Sequence, residues 1–206
     1  MSHTADHIAF DSVEINQVED ILDCTTDDSI PVLLTQEAFD GSDEDLIAVN
    51  RDVVNKVLDR EPSLDDISRD ALRSYYVDMY AQTVAAAGLR AYTDVATGDV
   101  HTFVLQGLQL MDIPAHRDLL VATIGNQAGF DEAAFDAAFA AAEETRSLAA
   151  ANAAYLRALP ERQVLSEKNF QVALDIRLGH VDSDTGVHLD LPRWTGVVTA
   201  SGNTAG

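Results

Sequence analysis

Residues 42–59 read SDEDLIAVNRDVVNKVLD, and this stretch decides the fold class. Ser42 is a favourable helix N-cap, and the three acids that follow it lie where the helix dipole favours negative charge. The apolar residues recur at spacings of three and four, which is the period of one helix face. They are Leu46, Ile47, Val53, Val54, Val57 and Leu58. The stretch therefore predicts an amphipathic helix that continues to about Asp59.

The flanking segments on the N-terminal side predict two shorter helices. One covers Val13–Leu22, where Ile15, Val18 and Leu22 share one side. The other opens at Ser29-Ile30-Pro31, because proline is tolerated in the first turn of a helix, and it ends at Gly41.

The C-terminal side continues the helical pattern to Pro160. A stripe of apolar residues from Asp70 to Ala87 predicts a long helix with Gly88 as its C-cap. The alanine-rich stretch from Asp131 to Leu159 contains no glycine or proline, so it predicts one long helix or a helix with one bend. Between them, shorter helices are expected over residues 89–95, 100–111 and 114–127.

The last part of the chain changes its pattern. Apolar and polar residues alternate from Phe170 to Leu178 and again from Val187 to Leu191, with turn-forming residues 182–186 between them. This period of two predicts a β-hairpin; the competing interpretation is a helix over Lys168–Leu178. The predicted fold is mainly α, a multi-helix single domain with a short C-terminal β-hairpin as an optional addition.

These patterns divide the chain into four parts. We expect an acidic N-terminal helical segment over residues 1–42 and a helical core domain over residues 43–160. A hairpin or helix-plus-strand extension follows over residues 161–194. The small and polar residues 195–206 predict a disordered tail.

The charge of the chain limits its partners. The 206 residues contain 35 acids and 13 lysines or arginines, a formal net charge of −22. Phosphates and anionic lipid headgroups would be repelled, so direct binding to nucleic acid or to a membrane is not expected. The charge favours a basic partner, which could be a cationic protein, a metal ion or a protein whose usual ligand is DNA.

The acids are unevenly distributed along the chain. Residues 1–70 hold 19 acids and 4 bases, and residues 71–206 hold 16 acids and 9 bases. Salt adaptation, in which acidity serves only solvation, predicts a more even distribution. Lysine occurs only at Lys56 and Lys168, a bias that suits a GC-rich genome or a salt-loving organism. The asymmetry favours a dedicated acidic face, and solvation remains an alternative.

Catalytic and cofactor motifs give little support for an enzyme. Phosphate-binding glycine loops, hydrolase elbows and HExxH are absent, so no catalytic residue and no cofactor is predicted. Cys24 is the only cysteine, and its acidic neighbours would disfavour a thiolate. No signal peptide or membrane-spanning run is visible, so the cytoplasm is the expected compartment.

Two constellations leave an enzyme open as an alternative. In a hairpin, His180 and His188 would face each other near Asp182, a set that could hold a divalent transition metal. Tyr75, Tyr76 and Tyr80 lie on one predicted helix, where they form either a ligand pocket or, more simply, an aromatic core.

The acidic clusters are the strongest functional signal. Carboxylates two to four residues apart on helices that rise 1.5 Å per residue can approximate phosphate spacing, since B-DNA carries one charge per about 1.7 Å of axis. The predicted partner-binding residues are Glu14, Glu19, Asp20, Asp23, Asp27, Asp28, Asp40, Asp43, Glu44, Asp45, Asp52, Asp59, Asp65, Asp66 and Asp70.

Five short segments resemble a bacterial family, the helical domain of otherwise unknown function that includes a Neisserial-type DNA-mimic protein. They are Val53–Leu58, Ser63–Ser68, Ala71–Tyr76, Val84–Leu89 and Val104–Leu108. The resemblance covers about residues 45–125. It implies an all-helical core, a homodimer, and an acidic decoy that occupies the DNA-binding surface of a transcriptional regulator.

Overall fold

The computed structural model describes residues 15–60, 67–124 and 131–179, and in these ranges the fold is mainly α-helical, as predicted. Nine helices and a two-stranded parallel sheet make up this part of the chain. In chain order they are α1 (Ile15–Leu22), β1 (Val32–Thr35), α2 (Gln36–Asp40), α3 (Asp43–Leu58), α4 (Arg69–Val95), α5 (Gly98–Leu110), α6 (Pro114–Ile124), α7 (Glu132–Thr145), α8 (Leu148–Ala158), β2 (Arg162–Leu165) and α9 (Glu167–Arg177).

Helix α3 forms as the sequence predicts. The Ser42 hydroxyl accepts a hydrogen bond from Asp45 N, and the Asp45 carboxylate accepts one from Ser42 N, so both halves of a capping box are present. Its apolar stripe, which includes Leu46, Ile47 and Val54, is buried against α4, α8 and β1. Packing of this stripe contributes more to the stability of the helix than the intrinsic helix propensity of its residues does.

The segment after Pro31 is a strand, so the predicted helix over this region is wrong for residues 32–35. β1 pairs in parallel with β2 in the register Val32↔Arg162 to Thr35↔Leu165. Side chains alternate across a strand: Val32 and Leu34 belong to the main core, and Leu33 belongs to a smaller cluster beneath α9. Both faces of β1 are therefore covered, and its apolar run needs no polar alternation.

Helix α4 is interrupted at Gly88, where the sequence predicts that one helix ends and a shorter one begins. Gly88 adopts φ 79° and ψ 173°, a conformation that strongly favours glycine, and the chain resumes a helical path to Val95. The glycine therefore ends the first helical segment of α4, as predicted, and a kink separates this segment from the second one. The two halves of α4 pack against α3, α5, α7 and α8, which makes α4 the central helix of the described fold.

The alanine-rich stretch forms two helices, where one helix or a single bend was predicted. Arg146 is extended, with φ −155° and ψ 111°, and it separates α7 from α8. Ser147 then caps α8 by accepting a hydrogen bond from Ala150 N. A serine N-cap in the middle of an apolar pattern is the local signal for this break.

Helix α9 replaces the first strand of the predicted hairpin. Residues Phe170 and Leu174 are four positions apart and are both buried with Leu33 and Leu165 beneath them. The helix over residues 168–178 that competed with the strand is confirmed. The second predicted strand, over residues 187–191, lies outside the described residues.

Helices α4 and α5 pack closely against each other at Gly107. A Cβ added at Gly107 would lie 2.6 Å from Val77 Cγ2 and 3.1 Å from the Arg73 carbonyl oxygen, so only glycine fits at this crossing. Along the described ranges, no helix is both long and apolar enough to cross a membrane.

Candidate partner-binding surface and polar cleft

Residues 19–59 carry a dense set of exposed carboxylates. Across the described residues, none of the members of this set forms an ion pair with a lysine or arginine. We call the set the acidic surface. It comprises Glu19, Asp20, Asp23, Asp28, Glu37, Asp40, Glu44, Asp45, Asp52 and Asp59.

Three members of the acidic surface lie in one line along α3. Asp45, Asp52 and Asp59 are seven residues apart, and a helix turns to within about 20° of its starting direction over that interval. Their Cα positions rise by about 10.5 Å from one to the next. Every third phosphate of one B-DNA strand, at three steps of about 3.4 Å each, is about 10.2 Å further along the axis. We call these residues the α3 acidic line.

Two predicted binding residues at the start of α3 have structural partners. Asp43 Oδ1 lies 2.5 Å from Arg157 Nη1 on α8, so this pair joins the two helices. Asp45 Oδ2 accepts a hydrogen bond from the Ser42 hydroxyl at 2.7 Å within the capping box. Glu44, between them, is exposed and makes no such contact within the described chain. Glu44 is therefore the residue of this cluster whose substitution tests binding without disturbing the fold.

Asp70 does not belong to a binding surface, and its predicted role is wrong. The residue is 2% exposed, and its Oδ1 atom accepts hydrogen bonds from Arg73 Nη1 at 2.7 Å and from the Tyr155 hydroxyl at 2.5 Å. Its Oδ2 atom accepts a hydrogen bond from Asp27 N at 2.9 Å. A buried carboxylate persists only when it is paired and hydrogen-bonded, and both conditions are met here.

Arg73 connects this buried carboxylate to the chain between α1 and β1. Its Nη1 atom also donates to Thr25 O at 2.8 Å, and its Nε atom donates to Gln106 Oε1 at 3.1 Å. Burial of the guanidinium lowers the pKa of Arg73. The hydrogen bond and the charge of Asp70 outweigh burial, so the net pKa is raised. The arginine therefore stays charged and holds residues 25–27 against α4.

An open cleft of about 690 Å³ lies beside this network. Residues 23–29, the first turns of α4 and Gln106 of α5 line it. Burial raises the pKa of Asp27, but hydrogen bonds from Ser29 and the charges of Arg69 and Arg73 outweigh burial and lower it overall. Burial raises the pKa of the Cys24 thiol, so this residue is a poor nucleophile.

The three tyrosines of α4 serve mainly as packing residues. Tyr80 is fully buried and lies edge-on to Tyr92 and Phe139. Tyr76 stacks on Phe103, and the Tyr75 hydroxyl donates to Asn55 Oδ1 at 2.9 Å. Burial raises the pKa of all three phenols, which disfavours the phenolate that a catalytic base would need.

Two histidines that the sequence left without a role are buried. The Tyr92 hydroxyl lies 3.0 Å from His101 Nδ1, and His116 Nε2 lies 3.3 Å from Glu143 Oε1. Burial lowers the pKa of both histidines to about 4, so both are neutral at physiological pH. No signal in the sequence distinguished them from the other histidines, because their burial follows from helix packing.

The remaining predicted site residues lie outside the described residues. They are Glu14, Asp65, Asp66, His180, Asp182 and His188. Within the residues that the structure does describe, no group of three or more His, Cys, Asp or Glu side chains is placed to hold a metal ion. Comparison of the chain with protein-family models, with curated proteins and with solved structures finds no match.

Proposed function

We propose that this protein is a non-enzymatic acidic decoy that binds the DNA-contacting surface of a basic protein, such as a transcriptional regulator. The observation that carries the proposal is the α3 acidic line, whose axial spacing matches every third phosphate of a DNA strand. The lysines and arginines with which a regulator contacts phosphates would meet carboxylates at nearly the same axial intervals.

The environment of the acidic surface supports this proposal. Its carboxylates are exposed and have no ion-pair partner among the described residues, so their charge is available to a partner. Asp27 and Asp43 lie in the same part of the chain, but they are paired with Arg69 and Arg157 and do not belong to the acidic surface. Concentrated like charge costs folding energy through self-repulsion, and binding to a basic surface would offset that cost.

Two alternatives predict different behaviour. An acidic surface that serves only solvation binds basic proteins weakly and without regard to which carboxylates are present. An enzyme that uses Tyr75, Tyr76 and Tyr80 would need a small substrate, and the raised pKa of these phenols gives it little support. The predicted metal site at His180 and His188 would be tested by titration of the chain with a divalent transition metal.

The experiment is capture of basic proteins from a lysate of the source organism on the immobilised chain, with duplex DNA as competitor. We expect a DNA-binding protein that is retained at low salt, released at moderate salt and displaced by DNA. The captured protein is then purified, and its affinity for the chain is measured directly. Retention that DNA does not affect, or capture of no DNA-binding protein, would contradict the decoy function.

Matched variants separate the exposed charge of α3, including two of the three members of the α3 acidic line, from bulk charge. The test variant Glu44→Gln, Asp52→Asn, Asp59→Asn removes three exposed carboxylates that make no side-chain hydrogen bond or ion pair within the described chain. The control variant Asp94→Asn, Asp99→Asn, Glu144→Gln removes three from other helices and leaves the acidic surface intact. Each set includes one acid in the first turn of a helix. We expect the test variant to lose at least about tenfold in affinity, and the control to lose little. Equal losses would favour the solvation alternative.

A further inference from the structure

Residues 23–31 connect α1 to β1 and form neither a helix nor a strand. We call them the α1–β1 segment. Only Ile30 and Pro31, at its end, are buried. Asp23 and Asp28, two carboxylates of the acidic surface, lie on the part of the segment that has no buried side chain. An irregular segment with few buried apolar contacts opens easily unless other interactions fix its backbone.

Two hydrogen bonds with the start of α4 fix that backbone. Arg73 Nη1 donates to Thr25 O at 2.8 Å, and Asp27 N donates to Asp70 Oδ2 at 2.9 Å. The side chains of Asp70 and Arg73 are 3% and 5% exposed, so the α4 partners of these bonds are shielded from water. Both bonds lie between the two exposed carboxylates in the chain, and each is within two residues of one of them. The buried network therefore determines where those carboxylates lie.

Tyr155 of α8 sets the orientation of the Asp70 carboxylate. Its hydroxyl donates to Asp70 Oδ1 at 2.5 Å, and Arg73 Nη1 donates to the same oxygen at 2.7 Å. Because two donors hold Oδ1, Oδ2 is the oxygen that accepts the hydrogen bond from Asp27 N. The buried tyrosine therefore acts on the α1–β1 segment through Asp70, although α8 is distant from that segment in the sequence.

We propose that Tyr155, Asp70 and Arg73 are positioning residues for the acidic surface. They fix the α1–β1 segment, so that its carboxylates Asp23 and Asp28 are in place before a basic partner binds. This inference rests on the proposed decoy function and adds to it residues that are buried and do not meet the partner. A segment that is already ordered binds more tightly than a mobile one, because its entropy of ordering is not lost on binding.

Hydrogen exchange in the purified full chain, measured by NMR, tests the positioning. Tyr155→Phe removes the hydroxyl and keeps the ring. Asn152→Ala is the matched control, because Asn152 of α8 also donates a buried hydrogen bond to α4, to Ser74 O at 3.0 Å. We expect Tyr155→Phe to speed exchange of the Asp27 amide at least about fivefold, and the control to change it less than about twofold. An Asp27 amide that exchanges no faster in Tyr155→Phe than in the control would overturn the proposal.

The second readout is affinity for the purified DNA-binding protein that the parent chain captures. Tyr155→Phe changes no charge, so bulk electrostatics predicts no effect. We expect it to lose at least about threefold in affinity, and Asn152→Ala to lose little. In the background of Asp23→Asn with Asp28→Asn, Tyr155→Phe should cause no further loss, because it acts through those two carboxylates. Circular dichroism checks that each variant folds.

These outcomes separate the positioning role from the decoy function. Unchanged affinity in Tyr155→Phe, an equal loss in Asn152→Ala, or the full loss in the background without the two carboxylates would overturn the positioning role. The decoy function would then still be supported by the α3 acidic line. Capture of no DNA-binding protein would contradict the decoy function itself, and the positioning role would be overturned with it, whatever the exchange of the Asp27 amide shows.

Discussion

Asp52 and Asp70 are the same residue type on neighbouring helices, but the fold places their side chains in opposite environments. Asp52 is exposed on α3 and makes no side-chain contact among the described residues. Asp70, at the start of α4, is 2% exposed and accepts hydrogen bonds from Arg73, Tyr155 and the backbone of Asp27. The count of acids in the first 70 residues includes both. A charge in the sequence therefore becomes a surface charge only if no buried cation lies beside it.

The two regions also differ in how they contribute to stability. In the Asp70–Arg73 network, two charges lose their solvation and gain short, well-directed hydrogen bonds in a low-dielectric interior. Removal of one partner therefore destabilises the fold strongly. The acidic surface is solvated, and each of its carboxylates interacts weakly with its neighbours. Stability measurements therefore separate the two regions before any partner is known.

The largest effect is expected from Asp70→Asn. This change leaves the Arg73 guanidinium buried without its counter-charge, and breaking a buried pair in this way costs about 3–5 kcal/mol. Urea unfolding followed by circular dichroism measures it, with Asp52→Asn as the matched control. If Asp70→Asn loses less than about 1 kcal/mol, the residue is solvated and the contrast with Asp52 fails.

The next effect is the pH dependence of the two buried histidines. Their folded pKa is about 4 and the reference value is 6.5, so the unfolded chain binds protons first as the pH falls. The stability that neutral His101 and His116 provide is complete above pH 6.5 and is lost as the pH falls towards 4. Each shift is equivalent to about 3 kcal/mol.

Comparison with His101→Gln and His116→Gln isolates this effect, because the carboxylates titrate alike in all three proteins. We expect the free energy of unfolding to fall less steeply between pH 6.5 and pH 4 in each variant than in the parent chain. If the curves of unfolding free energy against pH were parallel for the parent chain and the variants, burial would not hold either imidazole in its neutral form.

The smallest effect is expected from Asp52→Asn with Asp59→Asn. Both residues are exposed, so the free energy of unfolding should change by no more than about 0.5 kcal/mol. The sign should favour the variant, since Asp59 stands at the C-cap of α3, where a negative charge opposes the helix dipole. Urea unfolding at low salt measures the change. A loss above about 1 kcal/mol would show that these carboxylates support the fold.

Local signals in the sequence predict α3 well and β1 badly, for a physical reason. The capping box and the apolar stripe of α3 lie within 18 consecutive residues, so the local sequence contains both signals that predict the helix. β1 has four residues, three of them apolar, and its partner strand lies beyond residue 160, so its pairing is not visible nearby. A short apolar run is ambiguous between a buried strand and a helix, and Pro31 favours the wrong choice.

The candidate sites divide in the same way. The exposed members of the acidic surface follow from the helical pattern, because residues opposite the apolar stripe of α3 must face solvent. The cleft was not predicted, since Arg73, Thr25 and Gln106 come from three separate parts of the chain. The alternation from Phe170 to Leu178 indicated a strand, and the burial of Phe170 and Leu174 four residues apart decided for a helix.

By itself, the sequence determined the helical class, the ends of α3 and the excess of negative charge in the first third of the chain. These properties depend on hydrogen bonds, caps and side-chain periods that span a few residues. Only the tertiary structure decided that Asp70 is internal, that β1 pairs with β2 and that Arg73 faces a cleft. These features depend on contacts between residues far apart in the chain, and there the desolvation of a charge is offset only by a partner that folding brings to it.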